Sequence, residues 1–445
     1  MKRSKTIFPT INEILSSPTI KPWADRLHPA AVVAIVHSVI QETYDEMKSA
    51  ATEFRMPDFM ELSNRIVARL TIHETRTPRP PINVTGILFH PQFGSPLLSP
   101  HIVEQMLTTA SDIDTIHQLF YEMTGADDVL VLRNTASALL LLTALNPQHK
   151  SVVVANKEIY ENEFGRRNTT LLDSPFHNTL QAVGTTNVTN AADYINGIES
   201  GNTAIVYFAR TQYNNFRLAL TPGSLGAVLQ SARSKQIPSV LELEFALLSD
   251  IMPPIPTVGQ GVTDQFDLVL FNAGKLIGSV DAGVLLGRKE LLDTIRTSPL
   301  LPHFTPSSLQ LSALRATLSL YIRKNEDFKQ TIPVAELLAT SDSNLENRAN
   351  RLALQLTAKQ SVAKATVETA PFRLTTDGIS LLTAPAVRVE LASGDVASLV
   401  KSLAANSPSV GVEQLETAIG QPQQIRIHLK TLPAKYDLPL IEAFE

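Results

Sequence analysis

A lysine in the run LVLFNAGKLIG (268–278) has a setting that suggests chemistry. Lys275 follows an apolar stretch that gives way to small residues, the pattern of a strand entering a tight turn. A lysine at a strand end can form a Schiff base with a carbonyl cofactor, although a solvated loop lysine would read the same way. A second feature is VLVLRNTASALLLL (129–142). The apolar run stops at Arg133, and Asn134 or Thr135 can cap a helix of strong formers beginning near Ala136. The open amides of such a first turn hold anions, and Arg133 can add charge for a phosphate. The third is PSVLELE (238–244), where Glu242 and Glu244, two residues apart, share one face of a strand. One of the two carboxylates could pair with a protonated ring nitrogen. In open α/β sheets ligands lie beyond the carboxyl ends of the strands, and Arg133, Glu242 and Lys275 all fall there.

Other chemistries are excluded. The chain has no cysteine, which removes disulfides, zinc–thiolate sites, iron–sulfur clusters and a cysteine nucleophile. Its ten histidines show no metal-ligand spacing, so no metal is expected. There is no P-loop, GxGxxG or GxSxG motif. Glycine, at 19 residues, is scarcer than proline, at 28.

The elements that must position these residues are legible as short apolar runs alternating with helical stretches. The runs fall at 129–132, 152–155, 181–183, 204–209, 239–242, 268–271 and 284–286. Uninterrupted apolar strands separated by crossover helices predict a seven-stranded, mostly parallel sheet covered on both faces. Residues 1–75 read as a helical N-terminal region, with apolar residues at Phe59, Leu62, Ile66 and Leu70. TRTPRPP (75–81) reads as an extended linker. A large α/β domain is expected over 76–300. An interdomain helix and a small C-terminal α/β domain are expected over 301–445, with strands near 386–391 and 425–429 and helices near 396–404 and 438–444. The 445 residues are 44% hydrophobic and 18% charged, a globular composition. No basic excess points to nucleic acid: the net charge is −5, and residues 1–70 hold nine basic against eight acidic side chains. MKRSKTIFPTINEIL lacks the apolar core of a secretory signal, and no run of about 18 apolar residues occurs, so a soluble cytoplasmic protein is expected.

The order of several segments resembles one family. FPTINEIL (8–15), PINVTGILFHPQFGSPLLS (81–99), TGA (124–126) with Arg133, Asn134, Thr135 and Ala136, VGTTNVT (183–189) followed by Asp193 and Tyr194, FNAGKLIG (271–278) with Asp281 and Gly283, SPL (298–300) and the stretch 314–321 are collinear with it. The chain is identified as a divergent member of the bacterial selenocysteine synthase (L-seryl-tRNA(Sec) selenium transferase) family. These are fold-type I enzymes dependent on pyridoxal 5'-phosphate (PLP). The resemblance implies Lys275 as the Schiff-base lysine and Glu242 in place of the family's strand aspartate. It implies Arg133 to Ala136 as a phosphate cup and Asn272 as part of the lysine region. It further implies elimination or replacement at an amino-acid-type substrate, tRNA as a partner, and a homo-oligomer of two or more copies.

The departures are specific. Ser95 stands where the family has an arginine for the small acidic substrate. Gly274 replaces the aspartate before the lysine, as in a related ammonia-lyase branch. Glu242-Leu-Glu244-Phe245 replaces a glycine-rich stretch. The arginines expected after Pro299-Leu300 are absent. The sequence therefore leaves open a catalytically degenerate binding or assembly protein and a tRNA-independent amino-acid or amino-sugar ammonia lyase. An absorption spectrum with PLP separates the catalytic readings from the degenerate one. Selenium transfer to tRNA at a useful rate is not expected.

Overall fold

The runs richest in valine, isoleucine and leucine form the strands, because both faces of their sheet are covered and alternation would waste one of them. The computed structural model describes residues 9–49, 57–75, 80–94, 96–108, 113–145, 151–159, 171–172, 179–198, 202–211, 217–220, 223–323, 327–376, 382–392, 395–406, 408–416 and 423–444. The chain divides into two units, Met1–Pro80 and Pro81–Glu445.

The first unit is helical. Its two long helices, Pro29–Ser49 and Phe59–Thr75, pack together and bury Val32, Val36, Val39, Leu62, Ile66 and Leu70 with Ile14, Ile20 and Trp23. The expected helical spacing holds except at Phe59, which is exposed. Arg65 pairs with Glu46 and Arg69 with Glu42 on the outer surface. Such exposed pairs contribute little, so the apolar seam holds the unit together.

In the second unit the described strands are β1 (Ile82–Val84), β2 (Asp128–Leu132), β3 (Ser151–Ala155), β4 (Thr179–Val183), β5 (Thr203–Arg210), β6 (Ser239–Leu243), β7 (Leu268–Asn272), β8 (Gly283–Gly287), β9 (Val362–Pro371), β10 (Thr383–Leu391), β11 (Val410–Leu415) and β12 (Gln424–His428). Seven form one sheet in the order β2-β8-β7-β6-β5-β3-β4. Only β8 runs against its neighbours, so β2 points the same way as β7, β6, β5, β3 and β4. Each of the seven apolar runs read from the sequence is one of these strands.

Helices cover both faces. One face, with Val153, Phe208, Leu241, Val269 and Phe271, lies under the helices Ile113–Thr124, Leu225–Ser234 and Ser308–Tyr321. The other, with Val154, Tyr207, Val240, Leu270 and Leu285, lies under Thr135–Leu142 and Lys289–Arg296. The remaining five strands form a second sheet, β1-β11-β12-β10-β9, packed on the helix Asp342–Thr357. Strand β1 lies at one edge of it, parallel to β11 with Ile82 opposite Val410. β9 and the helix Asp342–Thr357 were not among the elements expected from the sequence.

Candidate active site

The site is built at the carboxyl edge of the large sheet. Strand β2 ends at Leu132, and Asn134 in extended conformation (φ −161°) caps the helix Thr135–Leu142. The Asn134 side chain accepts from the Ser137 amide at 2.9 Å and from the Ser137 hydroxyl at 2.9 Å. That leaves the amides of Thr135 and Ala136 in the first turn, which have no intrahelical acceptor. Neither has an acceptor among the described residues. Open amides at the positive end of a helix make this turn a candidate anion cradle. Arg133 is exposed beside it; its amide donates to the Phe304 carbonyl and its carbonyl accepts from Gln310.

Strand parity places the other groups. Glu242, the fourth residue of β6, is 6% exposed and lies on the same sheet face as Val240, Tyr207 and Leu270. This is also the face covered by the helix Thr135–Leu142. Glu242 accepts a 2.6 Å hydrogen bond from the Tyr207 hydroxyl. Glu244 lies beyond the strand, half-buried, its amide donating to the Arg210 carbonyl. Two residues past Leu270 on that face, Asn272 donates to the Thr135 hydroxyl at 3.3 Å and to the Asp281 carboxylate at 2.6 Å. Its side-chain oxygen accepts from the Gly274 amide at 2.7 Å. One side chain therefore joins the end of β7, the helix start and the turn that carries Lys275.

The turn itself is tight. The Ala273 amide donates to the Ala282 carbonyl, Ser279 to Ala273 and Gly278 to Lys275. Glycine is required at two points of close approach. A Cβ on Gly274 would lie 2.6 Å from the Asp281 nitrogen, and one on Gly283 would lie 2.3 Å from the Asn134 carbonyl oxygen. The position before the lysine is thus closed to any side chain in this backbone. Lys275 is half-buried, with Nζ 4.3 Å from the centroid of Phe245. Phe245 is fully buried and stacks on Phe89 at 5.8 Å. The ring offers its negative face to the lysine cation.

Of the residues singled out in the sequence, Thr135, Asn272 and the Lys275 turn are brought into one bonded unit, with Asn134 and Ala136 at its helix end. Glu242 shares the sheet face with Thr135 and Asn272. Arg133 flanks the cradle. Ser95 lies outside the described residues. Sequence reasoning missed Tyr207, whose hydroxyl is hidden in the apolar run 204–209. A tyrosine in a strand buried on both faces is itself a signal, because its hydroxyl must find a partner.

Comparison with known proteins places the chain in a wider set. A family model described as L-seryl-tRNA selenium transferase matches residues 82–411. The L-seryl-tRNA(Sec) selenium transferase of Carboxydothermus hydrogenoformans is 27% identical over 366 residues, 77% of each chain. That of Actinobacillus pleuropneumoniae serotype 7 is 28% identical over 380 residues, 79% of this chain and 80% of the relative. Among solved structures, a D-glucosaminate-6-phosphate ammonia-lyase superposes with a TM-score of 0.59 at 12% identity, covering 84% of this chain and 96% of that one.

Proposed function

The chain belongs to the L-seryl-tRNA selenium transferase family, and from that premise we propose that it is a PLP-dependent transferase or lyase. It acts by elimination or replacement at an amino-acid-type substrate. The observation that carries this reading is the joining of the Thr135 helix start to the Lys275 turn through Asn272, on the sheet face that also presents Glu242.

The donor set fits the cofactor. The Thr135 and Ala136 amides, backed by the helix dipole, hold a phosphate. Glu242 supplies a buried carboxylate for a protonated ring nitrogen. Lys275 supplies a primary amine for a carbonyl. When bound, PLP gives the substrate α-carbon an electron sink. Lys275 Nζ is the group that carries the proton at that carbon, and Phe245 and Phe89 exclude water from one side of it. Arg133, exposed at the cradle, adds positive charge for the phosphate.

PLP added to the purified protein should give a visible absorption band that borohydride abolishes. Lys275→Ala should abolish the band without unfolding the protein. An unchanged band in Lys275→Ala sinks the assignment.

A further inference from the structure

A tyrosine and a glutamate face each other across two central strands of the large sheet. We propose that Tyr207 is a positioning residue that holds the Glu242 carboxylate in its cofactor-facing orientation, an inference that rests on the PLP reading. Three observations support it.

The first is reach. Ala209 of β5 stands directly opposite Glu242, and Tyr207 is two residues earlier on the same face. The small Ala209 side chain leaves the space between the two strands open, and the phenol of Tyr207 meets the glutamate across it at 2.6 Å. Aspartate is one methylene shorter at the same backbone position and falls short of this contact.

The second is permanence. Tyr207 is fully buried, and its hydroxyl is held well above the usual phenol range, by burial first and then by Glu242 and Glu158. A phenol shifted in that direction keeps its proton, and its hydroxyl is placed to donate to Glu242. Glu158, the other carboxylate acting on it, is bonded elsewhere: it accepts from the Ala209 amide at 3.0 Å and the Ala219 amide at 3.4 Å.

The third is rigidity. The Tyr194 hydroxyl accepts from the Ala155 amide at 3.2 Å and donates to the Tyr207 carbonyl at 3.5 Å. The tyrosine is therefore fixed at its backbone as well as at its tip. A glutamate side chain has three rotatable bonds to immobilise, and a fixed donor removes much of that freedom before the ligand arrives.

The test uses the full-length protein with PLP as probe and three variants: Tyr207→Phe, Glu242→Asp and the double variant. Affinity is read by titration, and ring orientation by circular dichroism in the cofactor's visible band. Tyr207→Phe should keep the band, since Lys275 is untouched, but weaken PLP binding about ten-fold or more. Its visible circular dichroism should fall while the far-ultraviolet spectrum stays as in the wild type. Glu242→Asp, which retains the phenol, should lose a similar factor, and the double variant should be no worse than the worse single one. Unchanged affinity and visible dichroism in Tyr207→Phe, or additive losses in the double variant, overturns this inference alone. If Tyr207→Phe fails to fold, Glu242→Asp decides, and wild-type affinity there overturns it. Absence of any band in the wild type overturns the cofactor reading and this inference together.

Discussion

Asn272 and Thr135 are separated by 137 residues of sequence, yet the amide of one lies 3.3 Å from the hydroxyl of the other. Strand β8 makes this meeting possible. Its first residue, Gly283, sits opposite both Leu132 and Asn272. A side chain there would strike the Asn134 carbonyl. The bare backbone of one glycine lets the helix start at Thr135 and the lysine turn share a side chain.

Asn272→Ala should therefore weaken two things at once. It removes a donor to Thr135 and Asp281 and an acceptor for the Gly274 amide. A loss of about 1–3 kcal/mol in urea unfolding is expected, together with weaker PLP binding. Reduced stability with unaltered PLP affinity would separate Asn272 from the site.

Glu242→Gln should leave the fold nearly intact and weaken PLP binding or catalysis by about 10- to 100-fold, the worth of a charge-assisted hydrogen bond. Glu244→Gln, at a half-buried position beyond the strand, should change affinity less than about three-fold. A larger effect at Glu244 would move the functional carboxylate two residues along the chain.

Gly274→Asp would put back the acidic neighbour of the family's lysine. It should fail, because its Cβ would meet the Asp281 backbone at 2.6 Å. A stability loss of about 1–3 kcal/mol or more and no gain in turnover are expected. Gly226→Ala is the control, on the exposed side of the helix Leu225–Ser234 with nothing within 4 Å. It should stabilise by about 0.5–1 kcal/mol. Enhanced activity in Gly274→Asp would mean that the turn opens readily.

The second sheet should show acid sensitivity. Burial pushes the Glu413 carboxyl up, but its hydrogen bonds with His428 at 2.7 Å and Arg426 at 2.8 Å outweigh that and hold it below the ordinary 4.5. A depressed folded value means that its contribution is complete above the unfolded value and is lost as pH falls through the folded one. The stability gap between wild type and Glu413→Gln in urea should be about 0.5–1 kcal/mol at neutral pH, because solvent screens a carboxyl that is 37% exposed, and should narrow below pH 4.5. A gap independent of pH would show that the carboxyl is not titrating in that range.

Selenium transfer should fail in a strain lacking its own selenocysteine synthase. After Pro299 the first lysine or arginine is Arg315, in the helix Ser308–Tyr321. Ser95 cannot offer the bidentate charge that arginine gives an oxyanion. Lacking a buried charge-assisted partner costs about 2–5 kcal/mol, roughly 30- to several-thousand-fold in binding. Rescue of a selenoenzyme would show that other cations serve the anion.

What could be read in advance follows from how local each signal is. The inner strands of the large sheet were visible because burial on both faces makes them nearly continuously apolar, as in SVVVA and LVLFN, whereas the edge strand β4, TLQAV, is largely exposed or half-buried and showed only its apolar end. β9, Val362–Pro371, was not visible, because only two of its ten residues are buried and Lys364, Thr366, Glu368 and Thr369 interrupt its apolar pattern. Glu242, Lys275 and the Asn134 cap announced themselves as polar residues at the ends of apolar runs. The Phe245 ring beneath Lys275 did not: Phe245 stood out only as a departure from a glycine-rich stretch, and its contact is tertiary. Tyr207 was concealed for a different reason, since aromatic residues suit strands whether or not their hydroxyl has work to do.

The pairing of Ile82 with Val410 also sets a timetable. A ribosome delivers residues in order, at about 5–20 each second. The edge strand near residue 82 leaves it long before its neighbour exists. It must stay unpaired for some tens of seconds while the large sheet is being synthesised and can close. Its brevity, three residues, limits the unsatisfied edge exposed meanwhile. A nascent chain arrested just short of residue 410 should leave residues 82–84 open to protease, and one released past the second sheet should protect them.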